Sequence, residues 1–338
     1  MHMADALISP VVGGTFLAAS AGLGAWSARQ LRLNPDESRT PMMGVMGAFV
    51  FTSQMINFAI PGTGSSGHLG GGLLLAAVLG PHAAFLSITA VLAVQALLFG
   101  DGGLLALGCN IFNLGFFPCY VAWPLIFKPL MGSGGSKAKT VAGAVLGAVA
   151  ALQAGAFSVV LQTLLSGRTE LPFSGFLLLM QPIHLAIGLV EGLVTAAVVL
   201  FLLEHRPETL QTAGADTPSP TLRRRGATVI ALTLLTGLVF SSFASADPDG
   251  LEWSMLHASG LESLEAVGPL YEMSARIQSA TALLPDYSFK QASEAAVGPL
   301  DGGTAFSGLV GGMVTLALLS VSALVIRGAG SHRRREPR

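Results

Sequence analysis

The chain has 338 residues, of which 51% are apolar and 11% charged, with a formal net charge of −1. Soluble domains carry about 25% charged residues, so a water-soluble globular protein is excluded for most of this chain, and the lipid bilayer must solvate its long uncharged runs. The 18 basic residues against 19 acidic ones leave no cationic excess for nucleic acid.

The first stretch is Met1-His2-Met3-Ala4-Asp5-Ala6. An α-amine followed at once by histidine is an incipient chelator: the amine, the His2 amide nitrogen and the His2 imidazole can close two adjacent rings on one metal. A further imidazole would complete a square of nitrogens, a field that suits Ni(II) or Cu(II) better than tetrahedral Zn(II). The bulk of His2 predicts that the initiator methionine is retained. No basic segment precedes the first apolar run, whose first arginine is Arg29, so that run reads as a permanent helix and not a signal peptide.

Apolar segments follow at 7–28, 42–60, 68–80, 82–99, 104–126, 141–165, 176–203, 228–243 and 306–326. The region 68–99 is one long helix or a hairpin broken at Gly80-Pro81; proline at a first helical position after glycine favours the break. Basic residues decide between them. With nine spans and the amino terminus outside, Arg29, Arg32, Arg39, Lys128, Lys137, Lys139, Arg206, Arg223–Arg225, Arg327, Arg333–Arg335 and Arg338 fall inside, and only Arg168, Arg276 and Lys290 outside. The expected fold is therefore an all-α membrane protein. A seven-helix core is joined to two further transmembrane helices, with the amino terminus outside and the carboxyl terminus cytoplasmic.

The third span, 68–80, would be only about 20 Å long, against a hydrocarbon layer of about 30 Å. Residues 61–67 would then dip into the membrane as irregular backbone, tolerated only where protein buries it or a cavity solvates it. A short, glycine-flanked span points to a binding site, within reach of an outward amino terminus. Residues 1–205 form the expected seven-span module and 206–226 a polar cytoplasmic linker. Residues 227–338 form a two-span module with an extracytoplasmic segment at 245–303.

Among seven histidines, His2 and His68 are the expected metal ligands, with Met1. Thr63, Ser65 and Ser66 could hydrogen-bond a ligating imidazole or merely ease a tight turn. Gln54 with Asn57, and Asn110 with Asn113, are amide pairs that could line the pocket or tie helices together. His184 and Glu191 lie seven apart on one helix face and read as a structural or docking network, because ionisable groups inside a span usually face protein. His82 follows Pro81 at the inner turn; His205, His257 and His332 read as solvated. Cys109 and Cys119 lack ligand spacing and read as packing residues. No Gly-Lys-Ser/Thr follows the glycine-rich runs, so no ATP site of its own is expected, and the chain reads as no enzyme.

Met1-His2-Met3-Ala4-Asp5-Ala6-Leu7-Ile8-Ser9-Pro10, Ser66-Gly67-His68-Leu69, Leu97-Leu98-Phe99-Gly100-Asp101-Gly102-Gly103 and Asn110-Ile111-Phe112-Asn113, with His184 and Glu191-Gly192, resemble the CbiM/NikM family. These are the substrate-capture subunits of energy-coupling-factor importers for cobalt and nickel. The resemblance covers residues 1–205. It departs at Met3-Ala4-Asp5-Ala6, where many cobalt members have Met-Glu-Gly-Phe, and at His82, where an aromatic is common. Pro248-Asp249-Gly250-Leu251-Glu252-Trp253 and Pro285-Asp286-Tyr287 resemble the small accessory subunit of CbiN/NikN type, here fused. The resemblance implies square-planar ligation of Co(II) or Ni(II) by the Met1 amine, the His2 amide and imidazole, and the His68 imidazole, with Asp101 added to the pocket candidates. It implies a transported ion and no resident cofactor. Its partners would be a transmembrane coupling subunit and cytoplasmic ATP-binding-cassette ATPases, in a multi-pass protein of the bacterial inner membrane. A self-sufficient secondary permease and a non-transport scaffold are the rival readings.

Overall fold

The computed structural model describes residues 1–36, 39–132, 136–205, 245, 247–261, 264–289 and 302–332. The expected linker, the span expected at 228–243, Lys290 and the basic tail 333–338 lie outside them.

After a 3-10 turn (Asp5–Leu7) come α1 (Pro10–Leu33) and α2 (Arg39–Gln54), then a hairpin of β1 (Phe58–Ile60) and β2 (Ser65–Gly67). Next are α3 (Gly72–Leu79) and α4 (Pro81–Val94), the latter prolonged by a π turn, Gln95–Phe99. α5 (Leu107–Ile111) runs through a π-helical stretch, Phe112–Phe127, into α6 (Lys128–Met131). α7 (Lys137–Leu165) and α8 (Phe173–His205) close the first module. The second contributes α9 (Gly250–Ser259), α10 (Pro269–Thr281), a 3-10 turn (Pro285–Tyr287) and α11 (Gly302–His332). Among the described residues six helices are long and apolar enough to cross a membrane: α1, the extended α4, the continuous Leu107–Met131, α7, α8 and Gly303–Ile326 within α11.

Local sequence explains the element ends that matter. Ser9 caps α1, its hydroxyl accepting from Val12 N at 3.4 Å, with Pro10 as first helical residue. Gly80, at φ 77°, turns the chain between α3 and α4, and Pro81 opens α4; the 68–99 region is a hairpin of helices, as expected. Pro118 and Pro124 lie inside the π-helical stretch. Neither can donate the backbone bond an α-helix needs, and the wider turns accommodate both.

Two boundaries differ from expectation. α2 ends at Gln54, and Phe58–Ile60 does not continue it: these residues pair antiparallel with Ser65–Gly67, in register Phe58↔Gly67, Ala59↔Ser66 and Ile60↔Ser65. The 61–67 stretch is thus ordered by a hairpin, with Gly62 and Gly64 supplying its left-handed positions. α3 begins at Gly72, leaving His68 on the strand-to-helix connection; its eight residues make about 12 Å of helix.

The core is continuous across both modules. It runs from Met3 and Ile8 through Phe51, Phe85, Phe99 and Phe176 to Leu251 and Leu319. The small-residue face of α7 is consumed internally: Ala144 is fully buried, and Gly147 faces Leu73. A Cβ on Gly192 would stand 2.5 Å from Val145 Cα, so α8 can approach α7 this closely only with glycine there. Both cysteines are free and buried.

Candidate metal centre

The amino-terminal residues fold back as a hook against the loop between α4 and α5. Asn110 holds the hook like a strand partner: its Oδ1 accepts from Met3 N at 2.8 Å and its Nδ2 donates to Met3 O at 3.2 Å. Gly103 N also donates to Met3 O, at 2.9 Å. Asp5 Oδ1 accepts from Ala106 N at 3.0 Å, and Ser274 Oγ donates to Asp5 Oδ2. The Gly100–Gly103 run now has a reason. Gly102 has φ +79°, and a Cβ on Gly103 would collide with the Asp5 carboxylate and backbone. Gly103→Ala should therefore unseat the hook, giving faster amide hydrogen exchange at Met3 and weaker metal binding, while α7 and α8 exchange as before.

The hook delivers Met1 and His2 beside His68. The His2 and His68 rings lie with centroids 4.9 Å apart and planes within 15° of parallel. The Met1 amine donates to Asp249 Oδ2 at 3.3 Å, and His2 Nδ1 stands 3.0 Å from Asp101 Oδ2. A carboxylate only accepts, so His2 Nδ1 carries the hydrogen, and His2 Nε2 is buried without a partner. His68 Nδ1 lies 3.1 Å from Leu69 O, which fixes the same tautomer by the same argument. Met1, His68, Gly70, His184 and Asp249 share a cavity of about 10 Å³, room for a single water-sized body.

Asp249 splits its work. Oδ1 caps α9, accepting from Leu251 N and Glu252 N at 2.8 Å each, while Oδ2 receives the amine. Burial works against its ionised form, but the amino-terminal charge, His68 and the capping amides outweigh it and hold its pKa below the ordinary carboxylate range. Asp101 behaves alike: burial opposes ionisation, yet His2 and the Tyr287 hydroxyl, which donates to Oδ2, bring its pKa down to about 2. Both groups are carboxylates throughout the neutral range.

The remaining candidates sort as follows. Gln54 is buried, its Nε2 donating to Gly70 O at 2.9 Å and its Oε1 accepting from Gln95 Nε2 at 2.8 Å. Glu191 accepts from Gly70 N at 2.7 Å and Gly71 N at 3.1 Å. His184 Nδ1 is 2.8 Å from Met180 O, leaving a buried, unpartnered Nε2. Asn113 pairs with Gln162 through bonds of 2.9 and 3.0 Å, and its Nδ2 also reaches Met3 Sδ. Asn57 lies past the end of α2, where its carbonyl accepts from Ser245 N at 2.7 Å; it is no pocket residue by helical spacing.

Thr63, Ser65 and Ser66 do not partner the imidazole. Thr63 and Ser65 bond each other at 3.0 Å across the hairpin turn. Ser66 donates through Oγ to Asp247 O at 2.8 Å and through N to Pro248 O at 2.8 Å, docking the second module. His82 is remote from the cavity, its Nδ1 3.2 Å from Tyr120 OH. His205 and His257 are exposed, and His332 closes α11.

Asp249, Tyr287, Gln95 and Gln278 were not among the sequence candidates. Gln278 Nε2 donates to Ala96 O at 2.9 Å and Gly102 O at 2.7 Å, bracing the loop that carries Asp101. Asp249 and Tyr287 lie in the Pro-Asp-Gly and Pro-Asp-Tyr motifs that resemble the accessory subunit; Gln95 and Gln278 carried no signal.

Comparison with known proteins bears on this geometry. Residues 2–209 match the CbiM family model, described as the cobalt uptake substrate-specific transmembrane region, and residues 223–328 match a PDGLE domain. The chain belongs to the CbiM family. A fused nickel transport protein, NikMN, of Archaeoglobus fulgidus is 30% identical over 94% of this chain and 96% of its own. The cobalt transport protein CbiM of Geobacter sulfurreducens is 26% identical over 79% of this chain and 78% of its own. A crystal structure titled as a truncated transition metal transporter superposes with a TM-score of 0.53 at 35% identity, covering 61% of this chain and 99% of that one. The Met1 amine and the His2 and His68 rings thus meet in a multi-pass membrane protein of a cobalt and nickel transport family.

Proposed function

We propose that this CbiM-family chain is the substrate-binding subunit of an ATP-driven energy-coupling-factor importer, and that it captures Co(II) or Ni(II) in a square of four nitrogens. The donors are the Met1 amine, the His2 amide, the His2 imidazole and the His68 imidazole. The observation that carries the reading is the meeting of Met1, His2 and His68, with positions 2 and 68 lying 66 apart in sequence: the His2 ring stacks on the His68 ring, and Met1 and His68 line one small cavity. A chelate ring through the His2 amide closes on Nδ1. That atom and the amine are the two now held by Asp101 and Asp249. An incoming ion takes both from the carboxylates and leaves two negative charges beside its own positive charge. The rest of the machine is supplied by partners: a transmembrane coupling subunit and cytoplasmic ATP-binding-cassette ATPases.

The test is metal analysis with absorption spectroscopy on protein carrying its native start. A diamagnetic, yellow Ni(II) form supports the square plane; protein free of bound metal under saturating conditions overturns it. Uptake by vesicles lacking every partner subunit would instead support a self-sufficient permease.

Capture has a definite pH signature. The ligands must lose protons to bind, whereas Asp101 and Asp249, both depressed, stay charged well below neutrality. Affinity should therefore fall steeply from pH 8 to pH 5, because binding must release protons from the amine and from the His2 amide, with no carboxylate involved. A flat profile by titration calorimetry across that range would count against the chelate.

A further inference from the structure

Glu191 lies inside α8, 4% exposed, and among the described residues no Lys or Arg forms an ion pair with it. A carboxylate inside a span without a countercharge is costly, so its partners indicate its use. Both are backbone amides: Gly70 N to Oε2 at 2.7 Å and Gly71 N to Oε1 at 3.1 Å. These glycines directly precede α3. Gly71 has φ +73°, and a Cβ there would stand 2.5 Å from Val50 Cγ1, so the approach demands glycine.

The Gly70 N–H belongs to the Leu69–Gly70 peptide. The carbonyl of that same peptide is Leu69 O, which receives His68 Nδ1–H at 3.1 Å. One rigid peptide plane thus stands between the Glu191 carboxylate and the His68 ring. The next carbonyl, Gly70 O, is gripped from the other side by Gln54 Nε2, itself held by Gln95. Carboxylate–histidine–metal relays orient ligating imidazoles and raise their basicity. Here a peptide is interposed, and donation of its N–H to a carboxylate polarises its carbonyl as an acceptor.

We propose that Glu191 is a positioning residue for His68. Through the Leu69–Gly70 peptide it fixes the ring in the tautomer that carries hydrogen on Nδ1 and leaves Nε2 bare for the ion. Because the carboxylate sits on α8 and the imidazole on the β2–α3 connection, any displacement of α8 is transmitted to the ligand. This inference rests on His68 being a ligand.

The experiment uses full-length protein with its native start and Ni(II) as the probe, in a double-mutant cycle of Glu191→Gln and His68→Ala. Glutamine keeps the volume but offers one acceptor to two N–H donors. Glu191→Gln should weaken Ni(II) binding by roughly 10–100-fold, keep the absorption band at saturation, and give a mixed His68 tautomer in ¹⁵N spectra of histidine-labelled protein. In the His68→Ala background it should weaken binding no further. Equal losses in both backgrounds, a native tautomer, or wild-type affinity would overturn the proposal. Should Glu191→Gln fold poorly, shown by a lowered metal-free melting temperature, Glu191→Asp serves: it keeps both carboxyl oxygens, withdraws them by one methylene, and should give a smaller loss with the same non-additivity. If His68→Ala alone binds Ni(II) normally, it is the four-nitrogen site that fails.

Discussion

Protein extended at its amino terminus by Gly-Gly-Ser should bind no Co(II) or Ni(II) at concentrations that saturate the native-start form. Removal of the extension should restore binding. Extension turns the amine into a secondary amide, which ligates only by losing its proton beside an anchoring amine, and the new amine lies too many residues from His2 to be that anchor. It also removes the positive charge that Asp249 Oδ2 holds at 3.3 Å, stranding a carboxylate whose ionisation depends on it. There is no space for a compromise. The Met1 side chain is 2% exposed, its methyl end packed on Gly155, and the adjoining cavity has room for one water-sized body. An added residue must push the hook out, taking His2 with it. The measurement is calorimetric or equilibrium-dialysis titration of matched tagged and cleaved preparations. Undiminished binding by the tagged form would remove the amine from the ligand set.

How much of this was legible in the sequence depended on whether the information was local. Gly80-Pro81 announced a break because each residue acts on its own backbone angles, and the structure turns there. His68 stood out because a short glycine-flanked run cannot span a bilayer, and its helix proved shorter still. Phe58-Ala59-Ile60 misled because three apolar residues after a helix carry no period of their own; their pairing with Ser65–Gly67 is what assigns them to a strand. Thr63, Ser65 and Ser66 allowed two readings, imidazole partners or the easing of a tight turn, and the turn is what Thr63 and Ser65 serve. Nearness in sequence to His68 suggested partnership, but a hairpin turns these side chains toward each other and toward residues 247–248. The Asp249 carboxylate lies 248 positions from the amine it holds, and Tyr287 lies 186 positions from Asp101. Contacts between two modules leave no trace in either one's local pattern, so only the unusual Pro-Asp motifs hinted at them.

These long-range contacts place the second module on the site itself and not beside it. Residues 247–249 lie against β2, with Ser66 bridged to Asp249. Tyr271 OH donates to Ile8 O at 2.7 Å, and Gln278 and Tyr287 hold the Asp101 loop. The hook that carries Met1 and His2 is thus braced from both modules at once, and its position reports on their packing.

The second large effect concerns histidine choice. His68→Ala should reduce Ni(II) affinity by more than about 100-fold, because removing a group that only orients a ligand already costs 10–100-fold and here the donor itself is lost. Four-coordinate nitrogen ligation would also end, so any residual Ni(II) should show the weak, paramagnetic spectrum of a water-completed site. His82→Ala is the matched control. It removes an imidazole of equal size that packs edge-on to Trp26 at 4.6 Å and meets Tyr120, at the turn between α3 and α4, and should leave affinity within about twofold, the context scatter of a remote site. Equal losses in the two variants would mean that histidine deletion acts through packing. Equal retention would mean that the cavity between Met1 and His184 holds its ion without His68. Only the asymmetric result is compatible with an imidazole held by its neighbouring carbonyl and presented, bare nitrogen first, to the space beside the amino terminus.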